Sequence, residues 1–170
     1  MGKPKLYLFI GYPGAGKTTI SKLIAARTGA AHLWADVERH KLFGQATHSQ
    51  AESLKLYDYL NAQAEKLLAS GHSVVFDTNF NFRADRQKLR DIADRQGAET
   101  VLIWITTSAE EAKRRVVNKI DSRNGYKVAM TEPQFDAIAS KLEPPTEDEK
   151  VIKIDRTKLD PAEVTKLLHM

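Results

Sequence analysis

Eight residues near the start of the chain, Gly11-Tyr-Pro-Gly-Ala-Gly-Lys-Thr18, carry its most specific chemistry. They fit the pattern G-x-x-x-x-G-K-[ST] at every fixed position. Glycines let a backbone curl tightly enough for successive N–H groups to converge on phosphate oxygens. A helix that follows turns its positive N-terminal end toward the same anion. A lysine at position 17 reaches the outer phosphates, and a hydroxyl at position 18 is placed to ligate Mg²⁺. Gly11, Pro13, Gly14, Ala15, Gly16, Lys17, Thr18 and Thr19 are therefore read as the nucleotide site, with ATP and Mg²⁺ as the expected cofactors.

Two further segments supply acid–base and metal-binding groups. In Trp34-Ala-Asp36-Val-Glu-Arg39, the aspartate can take the proton of an attacking hydroxyl. The arginine one helical turn later can hold an anionic group. A helix-capping aspartate followed by a surface arginine fits the same spacing. Asp77 ends the apolar run Ser73-Val-Val-Phe, where an acidic residue beside a Mg²⁺ site belongs; a strand-end turn residue is the plainer reading.

The elements that must position these groups alternate along the chain. Leu6–Ile10, Ala31–Ala35, Ser73–Asp77, Val101–Ile105 and Val151–Ile154 have the length and apolar content of strands. Between them lie helical stretches. Ile20, Leu23 and Ile24 recur at helical spacing before Gly29. Leu54, Tyr57, Leu60, Ala64 and Leu67 form a stripe that stops at Gly71. Arg83–Gln96 carries only a thin stripe of Leu89, Ile92 and Ala93 and reads as an outer helix. Ser108-x-x-Glu111 and Thr131-x-x-Gln134 match the capping box, and Asp160-Pro161 opens a terminal helix. Strands alternating with helices predict an α/β fold, a three-layer αβα sandwich around a five-stranded, mainly parallel sheet with right-handed crossovers.

Composition bounds the rest. At 170 residues the chain fits one compact domain, here taken as 1–170. It has no cysteine, so disulfides, thiolate zinc sites and a cysteine nucleophile are excluded. No apolar run approaches the roughly 20 residues that span a bilayer, and no signal-peptide core is visible. The expectation is a cytoplasmic protein without a membrane partner. A net charge of +4 suits an anionic substrate without indicating nucleic-acid binding. The five histidines, His32 included, show no ligand spacing. Trp34 and Trp104 read as core residues, Tyr57 as part of the buried stripe, and Glu147-Asp-Glu149 as a solvated loop.

Three classes of nucleotide-binding protein compete: a kinase, a GTP-dependent switch and an assembly ATPase. Asn118-Lys-Ile-Asp121 spells the guanine-reading N-K-x-D, but it lies well beyond the nearest strand and in a basic helical stretch. Asp94-x-x-Gly97 sits at a helix end rather than after a strand. An assembly ATPase needs a longer core and an additional helical domain.

Taken together, the loop, Asp36-x-x-Arg39 and Asp77-Thr-Asn-Phe-Asn81 followed by arginines resemble the small P-loop kinases. So do the basic stretch Arg114-Arg115-Val-Val-Asn-Lys119 and the exit Phe135…Leu142-Glu-Pro-Pro145. This family includes the 5′-kinase domain of bacteriophage polynucleotide kinase and bacterial AAA-type kinases; the resemblance covers residues 6–145. It implies a P-loop NTPase fold with a helical lid over residues 112–131. It also implies Asp36 as general base, Arg39 as a residue that positions the acceptor, Arg115 as a lid cation and, with Thr18, Asp77 at the metal. Asn79, Arg83 and Arg86 become acceptor-side candidates. The phage enzyme has a second lid arginine where this chain has Lys119, so Lys119 or Arg123 stands in for it. A lysine keeps that charge and loses the planar fork.

The function these features predict is ATP-dependent phosphoryl transfer to a hydroxyl, either a polynucleotide 5′ end or a small molecule. An ATP-binding regulatory protein or an ATPase without an acceptor is the alternative. A monomer is expected.

Overall fold

The computed structural model describes residues 2–119, 130–155 and 160–170. Five strands form one sheet in the order β2-β3-β1-β4-β5. They are β1 (Lys5–Ile10), β2 (Ala31–Trp34), β3 (Val74–Asp77), β4 (Glu99–Ile105) and β5 (Val151–Ile154). Every pairing is parallel, so the sheet is all-parallel rather than mainly so. β4 begins two residues earlier than its apolar run because Lys5 and Leu6 pair with Glu99 and Thr100. β2 ends at Trp34, and Ala35 belongs to the helix that follows.

The helices are α1 (Lys17–Thr28), α2 (Ala35–Phe43), α3 (Gln50–Ala69), α4 (Arg83–Arg95), α5 (Ala109–Val116), α6 (Glu132–Ala139) and α7 (Pro161–Leu167). Strand alternation sorts the core into two halves. Tyr7, Phe9, Val75, Ile103, Ile105 and Ile154 face α1 and α7 through Ile20, Ile24, Val164 and Leu168. Leu6, Leu8, Ile10, Val74, Phe76 and Leu102 face α3 and α4 through Leu56, Leu60, Ala64, Leu68, Leu89 and Ile92. A strand covered on both faces must be apolar at consecutive positions, which is why β1 and β3 read as unbroken runs.

The stripe of α3 is rotated from the expected one. Glu52, Leu56, Leu60, Ala64 and Leu68 are its buried residues, and Leu54 is 61% exposed. Tyr57 and Leu67 flank the stripe, partly buried against the same core. Ser49 caps α3 and Ser108 caps α5, each accepting from the backbone N–H three residues on. Thr131 and Gln134 close a reciprocal capping box on α6. α5 stops at Val116, so the basic helix is shorter than expected; Val117 then bridges to Met130. The middle of the expected lid, with Arg123 and the second half of Asn118–Asp121, lies outside the described residues. No described helix is long and apolar enough to cross a membrane.

The order of the strands creates the crevice. From β1 the chain leaves through α1 toward one face; from the adjacent β3 it leaves through α4 toward the other. In an open parallel sheet, ligands bind where two neighbouring strands send their connections apart.

Candidate active site

The Gly11–Gly16 loop leaves β1 at that crevice and runs directly into α1. Its glycines are needed where space or backbone angle requires them. Gly14 has φ +81°, and a Cβ there would stand 2.7 Å from Val116 Cγ1 and 2.8 Å from the Ala112 carbonyl. α5 therefore packs on the bare backbone of the loop. The Arg115 guanidinium donates to the Gly14 carbonyl from the same helix. Gly16, at φ 115° and ψ 15°, makes the turn into α1.

Lys17 is buried, and its Nζ donates to the carbonyls of Gly11 at 3.1 Å and Tyr12 at 2.6 Å. Burial lowers its pKa to about 8, against the opposing fields of Asp77 and then Asp36. Both carboxylates thus lie close enough to the ammonium to act on it. The Thr18 hydroxyl donates to Asp77 Oδ1 at 3.4 Å, joining the first turn of α1 to the end of β3. The other oxygen, Oδ2, accepts from Nε2 of His32 at 3.0 Å. Two hard oxygen donors, one on the first turn of α1 and one at the end of β3, suit Mg²⁺, which takes one or two protein ligands and keeps waters for the rest.

The loop after β3 holds the phosphate loop from behind. Asn81 is buried; its Oδ1 accepts from the Gly11 N–H and its Nδ2 donates to the Gly11 carbonyl, both at 3.2 Å. The Asn81 carbonyl accepts from Glu143 N at 2.7 Å, and Phe80 N donates to the Phe9 carbonyl. The side chain acts as a peptide group paired with Gly11. Thr107 adds a hydroxyl donated to the Ala15 carbonyl at 2.9 Å. Tyr12 packs near the buried Phe135 of α6, ring centroids 6.3 Å apart.

On the acceptor side the expected residues separate. Asp36 is exposed in the first turn of α2, where a carboxylate favours the helix dipole. It is also near enough to the Tyr57 hydroxyl to act on it. Tyr57 and Thr78 share a hydrogen bond of 2.8 Å, and the Asn79 Oδ1 is buried without a hydrogen-bond partner. Arg39 is buried and already engaged: its NH1 donates to Glu52 at 2.6 Å and its NH2 to Ser53 at 3.2 Å. Glu52 also accepts from the N–H and hydroxyl of Thr47 and the N–H of His48. These bonds, the Thr47 N–H foremost, hold its carboxyl down to about 2.

The two acceptor-side candidates on α4, Arg83 and Arg86, are engaged elsewhere. Arg86 has no exposed surface; its Nε and NH2 grip Glu149 at 2.7 and 3.0 Å, and NH1 donates to the Phe80 carbonyl. It is a core residue rather than an acceptor ligand, and Glu149 is buried rather than solvated. Arg83 is exposed and reaches the exit segment, donating to the Pro144 carbonyl and lying 3.9 Å from Glu143. Lys119 is exposed beyond α5. Trp34 and Trp104 are half-buried, each with a lysine over its ring.

Residues 6–145 match a family model described as an AAA domain, AAA_33. The chain belongs to this AAA domain family. Among curated proteins, none matches the chain in sequence. Solved structures share the fold of this family member over nearly its whole length. The Mycobacterium tuberculosis APS kinase CysC, in complex with AMPPNP and APS, is 20% identical, covers 100% of both chains and has a TM-score of 0.72. Chaetomium thermophilum Kti12, in complex with ADP-AlF3, is 14% identical over 98% of this chain and 96% of its own, with a TM-score of 0.74. A gluconokinase from Sinorhizobium meliloti is 18% identical over 96% of this chain and 87% of its own, with a TM-score of 0.63. At these identities the likeness is one of fold, the P-loop α/β architecture. The matches do not single out polynucleotide kinase.

Proposed function

We propose that this AAA domain protein is an ATP-dependent kinase that transfers the γ-phosphoryl group to a hydroxyl. The observation that carries the reading is the hydrogen bond from Thr18 to Asp77, with Lys17 beside it in the fields of both Asp77 and Asp36. In this reading Lys17 is the phosphate-binding cation, Thr18 and Asp77 supply the metal-ligating oxygens and Asp36 is the carboxylate base.

In this reading the loop N–H groups and the α1 N-terminus bind the triphosphate, and Lys17 exchanges its two carbonyl partners for phosphate oxygens. Thr18 and Asp77 hold Mg²⁺, which when bound offsets charge on the phosphate oxygens. Asp36 accepts the acceptor's proton as the acceptor oxygen forms its bond to the γ-phosphorus and the bond to the leaving ADP oxygen breaks. Lys17 and the Arg115 guanidinium offset charge on the transferring group.

The state of Arg39 favours a small hydroxyl compound over a polynucleotide end. A nucleic acid brings phosphates that need cationic partners, and Arg39 is committed to Glu52 and Ser53. Tyr57, Thr78 and Asn79 instead offer neutral hydrogen-bonding groups.

Labelled ATP, incubated with the protein and a panel of small hydroxyl compounds and 5′-hydroxyl oligonucleotides, tests the activity. Asp36→Ala is expected to bind ATP as the parent does and to lose transfer; unchanged transfer would sink the assignment of the base. Hydrolysis with no labelled product for any acceptor would favour an ATPase.

A further inference from the structure

We propose that His32 is the positioning residue for the Asp77 carboxylate, holding it in the orientation that a divalent cation requires. The inference rests on the reading of Thr18 and Asp77 as the cation-binding pair. Its particular content is a third residue, on a different strand, that metal affinity depends on.

A carboxylate at the end of a strand turns readily, because its terminal torsion has a broad minimum. In this protein both oxygens of Asp77 are held. Oδ1 accepts from the Thr18 hydroxyl at 3.4 Å and Oδ2 from His32 Nε2 at 3.0 Å. An ionised carboxylate only accepts, so Nε2 carries the hydrogen. The first bond is long and the second short, so the stronger hold is the imidazole. The pair is also shielded: the side chains of His32 and Asp77 are 20% and 4% exposed. Water competes weakly for such a bond.

The register of the sheet explains how His32 reaches across. Trp34 pairs with Asp77 and His32 with Val75, so all four side chains share one face. The contact is therefore a diagonal between neighbouring strands, a reach that a long ring spans. The ring is fixed in turn: Trp34 stacks on it with centroids 5.4 Å apart and planes 9° from parallel. Lys22 of α1 places its Nζ 4.8 Å from the centre of the Trp34 ring. A chain of contacts thus runs from α1 over the edge strand β2 to Asp77 and returns to α1 at Thr18. Groups that orient a metal ligand in this way are typically worth about 10–100-fold in metal affinity.

The test is equilibrium binding of ATP to the intact protein, first with chelator and then over a Mg²⁺ titration. The proteins compared are the parent, His32→Ala and His32→Gln, whose amide nitrogen restores a donor to Asp77. The expected result for His32→Ala is chelated-ATP affinity within about 2-fold of the parent and a Mg²⁺ requirement raised about 10-fold. His32→Gln recovers most of that loss. A lower melting temperature with an unchanged Mg²⁺ requirement overturns the proposal, since packing alone would produce it. Should His32→Ala melt below the assay temperature, Trp34→Leu keeps the imidazole but removes the ring it stacks on; it too must raise the Mg²⁺ requirement, and an unaltered one overturns the proposal. If the parent binds ATP with no effect of Mg²⁺, the cation reading of Thr18 and Asp77 fails and carries this inference down with it.

Discussion

Arg86 and Glu149 meet as a two-pronged ion pair, Nε to Oε1 at 2.7 Å and NH2 to Oε2 at 3.0 Å, with the guanidinium wholly inside the protein. The third guanidinium nitrogen reaches the Phe80 carbonyl, one residue before the Asn81 that grips Gly11. Arg86 thus supports the loop that supports the phosphate loop. Glu149 is held below its ordinary carboxylate range, chiefly by this guanidinium.

Removing one partner of this pair leaves the other buried and uncompensated. Arg86→Met is expected to cost about 3–5 kcal/mol in urea or thermal unfolding. The double substitution Arg86→Met with Glu149→Met should cost less than the single one. Equal costs would mean that the pair does not carry the loss.

Glu52 gives the fold an acid-sensitive joint between α2 and α3. Its carboxyl lies at about 2 in the folded protein against an ordinary 4.5, so the folded state favours the ionised form. The stabilisation is fully present above about 4.5 and fades as pH falls through about 2. Glu52→Gln is expected to flatten the pH dependence of unfolding across that window, read from denaturation midpoints at successive pH values.

Asn81 is predicted to matter for nucleotide binding without touching nucleotide. Asn81→Leu strips the Gly11 N–H of its partner and leaves the Gly11 carbonyl with Lys17 alone, at about 1–3 kcal/mol for the N–H left buried and unpaired. ATP affinity should fall about 10-fold or more in a calorimetric titration. A drop in stability alone, with affinity retained, would show that the loop keeps its shape unaided.

Gly14 is the tightest point between the loop and α5. Gly14→Ala meets both a left-handed backbone and atoms at 2.7 and 2.8 Å, one of them the Ala112 carbonyl of the helix itself. Loss of ATP binding is expected. Adding Val116→Ala should recover it only in part, because the clash with the carbonyl persists. Full recovery would place the whole conflict in the Val116 side chain.

The sheet and its helices were legible because burial on both faces writes itself as consecutive apolar residues, as in Leu6–Ile10. The loop was legible because Gly11, Gly16, Lys17 and Thr18 are local in sequence. What was not legible lies in long-range polar pairing. Arg86 belongs to the buried stripe of α4 with Leu89 and Ile92, but a search for apolar residues passes over an arginine. Its partner lies 63 residues on, in a run of acids that reads as solvated. Arg39 has the spacing of a substrate ligand, and only the fold shows Glu52 already bound to it. His32 carries no ligand spacing because its partner is on another strand, 45 residues away. Its one signal was placement two residues before Trp34, on the same face of β2.

The grip of Asn81 on Gly11 spans 70 residues of chain. The phosphate loop is therefore not a self-contained motif that is complete once residue 18 has left the ribosome. Its backbone is moulded by a segment synthesised much later, and that segment is itself tied to Glu143 near the far end of the family match. During synthesis the protein would carry its most recognisable signature long before it could use it. The loop's set of hydrogen bonds is complete only once Asn81 and Thr107 have been made and the strands before them have paired.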